Sequence, residues 1–340
     1  MAFIGIEEHW TTPALTSALT ALPQGRGDAS LAFNELGDHL ARLEDIGEAR
    51  IEAMDEQGID MHILSLAPPA TGPLSPADAV SLSRELNDAA AQAVGRHPTR
   101  LRALSTLPMA QPSAVVAELE RAASLGFVGA MVYGRTADTA LDDPCYDDLF
   151  AAAARLGQPV FIHPQIPSDA VRTALYSGFD PVTDLALSTF AWGWHLEAAL
   201  AALRLIARGT FDRHPELQIV LGHWGELLLF WQDRTDSLSR VAGLQRRVSE
   251  YVRSNVSITS SGMFNPALLR HALAATTIDR LLFSTDYPFQ HPDRDDIRTF
   301  MAEFDSDEDR RKFSGDNAMR LFGIDPDQVA GAASTPVGAS

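Results

Sequence analysis

Lysine is nearly missing from this 340-residue chain, where Lys312 stands alone among 27 lysines and arginines. Cysteine is as scarce: with Cys145 as the single thiol, the chain can form no internal disulfide and no thiolate metal cluster. That residue is expected as a small packed side chain. Positive charge is in deficit overall, because 45 acidic residues leave a net charge of −18, which repels nucleic acid and anionic lipid. Neither is expected as a partner. Long apolar runs are also lacking. The opening FIGI stops at Glu7, no basic leader precedes it, and no later stretch is long enough and free enough of charge to cross a bilayer. A soluble, cytoplasmic protein is expected. Core material is plentiful, with 46% of residues hydrophobic, enough for one large domain or two ordinary ones.

That material is distributed periodically. Eight short β-rich runs stand out: FIGIEEH (3–9), MHILSLA (61–67), LRALSTLP (101–108), FVGAMVY (127–133), QPVFIHP (158–164), LQIVLGH (217–223), NVSITSS (255–261) and RLLFSTD (280–286). Between them lie stretches with helical spacing, among them LARLEDIGEARIEAMDEQG, PADAVSLSRELNDAAAQAVGRH, PSAVVAELERAASLG and DDLFAAAARLG, several closing on a glycine suited to a helix C-terminus. Eight strand–helix alternations predict an α/β fold, a closed (β/α)8 or TIM barrel. An open doubly wound sheet is the alternative, but no glycine-rich phosphate loop follows any strand. One domain is expected over 1–325, with a small, polar, fraying tail at 326–340. The segment 165–183, rich in Pro, Ser and Asp, is expected as an inserted loop after the fifth strand, serving as lid or pocket wall before a long apolar helix near 184–208.

In such a barrel, chemistry gathers where strands end. The first run ends in Glu7-Glu8-His9, the fifth in His163, the sixth in His223 and the eighth in Asp286. Alternation turns Glu7 and His9 to one side and Glu8 to the other, where it is expected as an exposed or supporting carboxylate. Two imidazoles and two carboxylates from Glu7, His9, His163 and Asp286 make a donor set suited to Zn²⁺, Mn²⁺ or Fe²⁺. A lone strand-end histidine is more often structural, and Asp286 alone suits a helix cap. Four such residues on separate strand ends favour a site. Lys312 lies in a late helical stretch, far from any strand tip, which disfavours a lysine-bridged metal pair, a Schiff base and a pyridoxal cofactor. One metal ion is the simpler expectation.

The stretches IEEHW (6–10), GEARIEAMDEQGIDMHILSLAPP (47–69), LGFVGAMVYG (125–134), LDDPCYDDLF (141–150), FIHPQIP (161–167), the run from AWGWH to GHWGE (191–226) and LLFSTDYPF (281–289) together carry a resemblance. The sequence resembles the metal-dependent decarboxylases of the amidohydrolase superfamily, of the γ-resorcylate and 2,3-dihydroxybenzoate decarboxylase type. The resemblance implies a distorted amidohydrolase-type barrel in which Glu7, His9, His163 and Asp286 hold one divalent ion per subunit, zinc or manganese, with magnesium also admitted. It implies that His223 and Glu226 form a hydrogen-bonded network with Asp286, that Arg234 lies near the site, and that the subunits form a dimer or tetramer. Tyr133-Gly134 stands where some members read asparagine, which bears on the hydroxylation pattern of the substrate. His195, in WGWH, is expected to pack rather than to face the pocket.

The expected partner is a small aromatic carboxylic acid. A salicylate-type acid offers one metal a carboxylate and an ortho phenolate oxygen, and loss of CO2 needs a proton at the ring carbon that bore the carboxylate. Asp286 is the expected general acid, assisted by His223 and Glu226. Trp10, Trp192, Pro288 and Phe289 are candidates for lining a slot for the ring, with Tyr133 and Arg234 as further substrate contacts. The same ligands can also activate water for hydrolysis of a lactone, amide or related bond, with Asp286 as base.

Overall fold

The computed structural model describes residues 1–23 and 27–329. Among these, eight parallel strands follow one another around a single sheet: β1 (Ile4–Trp10), β2 (Met61–Leu66), β3 (Leu101–Thr106), β4 (Gly129–Tyr133), β5 (Val160–His163), β6 (Ile219–Leu221), β7 (Val256–Thr259) and β8 (Leu281–Leu282). Each overlaps one of the eight expected runs, β1 reaching one residue past its run to Trp10, and helices lie between them, as in a (β/α)8 barrel. Most strand residues are buried on both faces, which explains why these segments read as near-continuous apolar runs.

The interior is layered. Ile4, Ile6, Met61, Ile63, Leu104, Met131, Phe161, Val220 and Leu282 pack together at one end of the barrel, closed from below by Phe322, Ile324 and Val329. Polar side chains take over towards the strand ends, and β1 changes phase to allow this. Its ladder to β2 pairs Gly5 with His62 and then Glu8 with Leu64, so one extra residue bulges between them. Strict alternation from Ile6 would turn Glu8 inward. The bulge instead places Glu7 and His9 on the side of Ile4 and Ile6.

The ring closes without a ladder between β8 and β1. His9 N–H donates to the Tyr287 carbonyl at 2.7 Å and Glu7 N–H to Ser284 Oγ at 3.1 Å. Glu8, fully buried rather than exposed, completes the seam. Its carboxylate accepts from Thr285 N at 2.9 Å, Thr285 Oγ1 at 2.5 Å and Tyr287 N at 3.3 Å. Asp286 is thus flanked by two residues bound to Glu8.

Two expectations need correction. The insertion is not a bare loop: Asp169–Leu175 and Pro181–Ser188 are short helices, the second started by Asp180 accepting from Val182 and Thr183 N–H. The following apolar segment is not one helix either, because the chain breaks at 189–192 and restarts as Gly193–Ala207. Gly193 marks the break, since a Cβ there would collide with the Ser188 carbonyl. Near the end, Pro326–Gln328 form a 3₁₀ turn and Val329 is buried against the barrel floor. The remainder of the expected tail, 330–340, lies outside the described residues.

Candidate active site

Glu7, His9 and His163 converge at the mouth of the barrel, with one donor atom from each within 4.8 Å of the other two. The ring of His9 is held by Ser65 Oγ, 3.2 Å from its Nδ1. His163 donates Nδ1–H to the Pro164 carbonyl at 2.7 Å, which leaves Nε2 as its lone-pair nitrogen. Glu7 Oε2 accepts from Thr259 Oγ1 at 3.0 Å and from Ser261 Oγ. With these atoms anchored, Glu7 Oε1 and His9 Nε2 remain buried with no hydrogen-bond partner. Unpaired buried donors and acceptors are costly, and two aimed at one point fit a cation. Glu7 Oε1 lies 3.4 Å from His163 Nε2, and Asp286 Oδ1 lies 3.3 Å from His9 Nε2. Asp286 therefore adjoins the cluster without being one of its three converging residues.

Electrostatics sort the groups. Burial lowers His9 to about 3 and pushes His163 well down, so both rings are neutral and able to act as ligands. Burial also raises the carboxyls of Glu7 and Asp286, and the charge of Asp286 adds to the shift at Glu7. Beside them sits a pair of the opposite kind. His223 Nδ1 donates to Glu226 Oε1 at 2.7 Å. Burial alone would depress His223, but the carboxylates of Glu226 and Glu7 outweigh it and raise it to about 10. Burial likewise opposes ionisation of Glu226, yet the His223 charge and hydrogen bonds from His195 and His223 bring it to about 2.

The site's walls match the sequence only in part. Phe289 covers His9 with ring centroids 5.6 Å apart and also meets His39 at 5.5 Å. Tyr133 is buried beside His163, 5.9 Å between centroids, and its hydroxyl donates to the Leu66 carbonyl at 3.3 Å. Trp192, by contrast, is 49% exposed at the chain break, and Trp10 belongs to the packed layer between barrel and helices. Arg234 is exposed on the helix Gln232–Ala242, with no side-chain hydrogen bond or ion pair to the cluster.

Several contributors escaped the sequence reading. His195 does not merely pack, since its Nδ1 lies 2.7 Å from Glu226 Oε2. Its signal was a histidine at the start of an otherwise apolar helical stretch. Arg50 is fully buried and donates to the His9 carbonyl at 2.5 Å and to the Asp45 carbonyl at 2.9 Å, with its guanidinium 4.8 Å from the centre of the Tyr287 ring. Thr259 and Ser261 gave no local signal at all, because their role depends on where β1 lies.

A parallel barrel with histidines and carboxylates converging at its strand ends defines a class: metal-binding amidohydrolase-type barrels. Comparison with known proteins agrees. The profile of the amidohydrolase family matches residues 22–324. A γ-resorcylate decarboxylase of Rhizobium radiobacter is 36% identical over 339 residues, 95% of this chain and 98% of that protein. A 5-carboxyvanillate decarboxylase of Novosphingobium aromaticivorans, solved with manganese and 4-hydroxy-3-methoxy-5-nitrobenzoic acid, superposes with a TM-score of 0.86 at 30% identity, covering 95% of this chain and 96% of that one. A dihydroxybenzoic acid decarboxylase of Polaromonas sp., solved with manganese and 2-nitroresorcinol, gives 0.81 at 31% identity, covering 97% and 99%. The chain belongs to the amidohydrolase family.

Proposed function

We propose that this chain is a divalent-metal-dependent, non-oxidative decarboxylase of an ortho-hydroxybenzoate-type acid, a carbon–carbon lyase. One observation carries the reading: Glu7 Oε1 and His9 Nε2 are buried, unpartnered and aimed with His163 at one point, in a chain whose relatives decarboxylate hydroxylated aromatic acids. Glu7, His9 and His163 hold the ion, manganese or zinc, with Asp286 beside them as fourth ligand. Manganese has support from the solved relatives. A bound ion supplies Lewis-acid charge that orients the carboxylate and phenolate of the substrate.

The chain's own groups do the rest. Asp286, its carboxyl raised by burial, delivers a proton to the ring carbon bearing the carboxylate. The C–C bond then breaks, its electron pair restores the aromatic ring, and CO2 leaves. His223, with Nδ1 committed to Glu226, keeps Nε2 for the substrate and replenishes the proton. Phe289 and Tyr133 flank the ring and keep water away. A hydrolytic reading of the same ligands has no support in the three relatives named, all decarboxylases. Among the described residues no helix is long and apolar enough to cross a membrane, in keeping with a cytoplasmic setting. A homo-oligomer would cover Leu175, Phe179, Val182, Phe230 and Trp231, each at least 59% exposed, and ultracentrifugation reads its size directly.

The test is metal analysis of freshly purified protein, followed by a screen of ortho-hydroxybenzoates for CO2 release. About one manganese or zinc per chain and CO2 without a ring-opened product are expected. A metal-free protein that reconstitutes with neither ion, or turnover only on lactones or amides, overturns the reading.

A further inference from the structure

His195 sits outside the donor cluster, with its ring 4.8 Å from that of His223. Its Nδ1 is 2.7 Å from Glu226 Oε2 and its Nε2 is 3.0 Å from the Phe190 carbonyl. Both partners are acceptors, because an ionised carboxylate and a peptide oxygen have no proton to give. Satisfying both contacts requires a hydrogen on each ring nitrogen. Glu226, fully buried, then has one oxygen on each imidazole, since Oε1 takes Nδ1–H of His223 at 2.7 Å.

The backbone explains why such a clamp is needed. Five consecutive residues have positive φ: His223 at 45°, Trp224 at 57°, Gly225 at 87°, Glu226 at 54° and Leu227 at 68°. Each non-glycine residue in that region costs about 1 kcal/mol or more, so the run persists only where its surroundings hold it. His223 N–H donates to Ser261 Oγ at 2.7 Å, Trp224 N–H to the Thr259 carbonyl at 3.0 Å, and Trp224 Nε1–H to the Met263 carbonyl at 2.8 Å. All three tie the run to the exit of β7. His195 ties it to the 189–192 break instead. Phe190, whose carbonyl His195 holds, packs on Phe33 at 5.4 Å between centroids, and Trp194 meets the same ring at 6.0 Å. One imidazole thus connects the 189–192 break to the carboxylate that orients His223.

We propose that His195 is a positioning residue for decarboxylation: by clamping Glu226 from the 189–192 break, it fixes the His223 ring beside the donor cluster. This rests on the decarboxylase reading above. Both its ring nitrogens are taken, by Glu226 and by the Phe190 carbonyl, so it acts through Glu226. Its removal strips a buried carboxylate oxygen of its partner and frees the left-handed run to relax, displacing His223.

In the metal-loaded enzyme, His195→Leu is expected to lower kcat about tenfold to a hundredfold with KM changed less than about twofold, the signature of a misplaced transition-state group. His195→Gln, whose amide can donate to Glu226 Oε2, is expected to recover most of kcat, and it keeps the test alive if the leucine variant fails to fold. A second readout needs no turnover. In full-length protein labelled with 15N-histidine, with or without metal, His195 is expected to show two protonated ring nitrogens, and the Nδ1–H resonance of His223 is expected to shift or broaden in His195→Leu but not in His195→Gln. A neutral, single-tautomer His195, or a leucine variant with native kcat and an unmoved His223 resonance, overturns the proposal. If the unaltered enzyme releases no CO2 from any ortho-hydroxybenzoate, the decarboxylase reading falls instead, while the imidazole spectra still decide whether the clamp exists.

Discussion

Asp286 and Glu226 are acids beyond the ends of β8 and β6, and their surroundings drive them to opposite protonation states. Burial, with the charge of Glu226 added, pushes Asp286 upward against the pull of His223, whereas Glu226, hydrogen-bonded between two imidazoles, is brought down to about 2. Asp286→Asn keeps the shape and a metal-binding oxygen but has no acidic proton, so kcat is expected to fall about a hundredfold to ten-thousandfold in single-turnover CO2 release. Native turnover by that variant with metal still bound would refute the role. The Glu226–His223 pair also shapes stability against pH. Glu226 is depressed from 4.5, so its contribution is present above that pH and is lost as pH falls towards 2. His223 is raised from 6.5, so its contribution is complete below that value and is lost as pH rises through about 10. Chemical denaturation of Glu226→Gln across this range is expected to show both limbs flattened; limbs as steep as in the unaltered protein would count against the pair.

At the scale of elements, the bulge in β1 and the seam to β8 decide whether the donors meet. Glu8 binds two backbone N–H groups and two hydroxyls across that seam, so Glu8→Ala strips four buried donors of this partner. A loss of about 3 kcal/mol or more is expected, read as a lower urea midpoint with an unchanged slope, together with weakened metal binding because Asp286 lies between the released residues. Gly222 is the other tight point. A Cβ there would stand 2.9 Å from Glu7 Oε1 and 3.1 Å from Glu226 Oε1, so Gly222→Ala must displace both carboxylates. Overpacking of about 1–3 kcal/mol and loss of bound metal are expected by calorimetry and metal analysis, and a variant holding a full complement of metal would show that the loop yields freely.

The sequence made the strands legible because burial on both faces leaves an unbroken apolar signature, and it made His9, His163 and Asp286 legible because polar residues ending such runs stand out. The phase change at Ile6–Glu7 was not legible: a one-residue bulge leaves the residue order intact and appears only in the pairing. Glu8 shows the consequence: the E-x-H spacing sets Glu7 with His9 and turns Glu8 away, but says nothing of Glu8 being buried to close the barrel. The break before Gly193 was hidden by the apolar character of the segment on either side of it. Arg50 read as one more helical charge, and only the folded chain puts its guanidinium against the His9 carbonyl.

For the whole molecule, stability and site assembly are linked. The unpartnered Glu7 Oε1 and His9 Nε2 gain partners only when an ion is held, so saturating metal is expected to stabilise the fold. At a hundredfold excess over Kd the gain is about 2.7 kcal/mol, measurable as a higher melting temperature with manganese than with chelator. Identical melting curves would mean that the cluster holds no metal. The three converging donors extend from position 7 to position 163, and the proposed fourth ligand, Asp286, meets His9 across the unladdered join that the described residues leave in the ring. During synthesis, the first of them leaves the ribosome long before its counterpart has been translated. Ion uptake is therefore a late event in the life of the polypeptide, and a nascent chain stalled short of β8 has nothing with which to finish the cage.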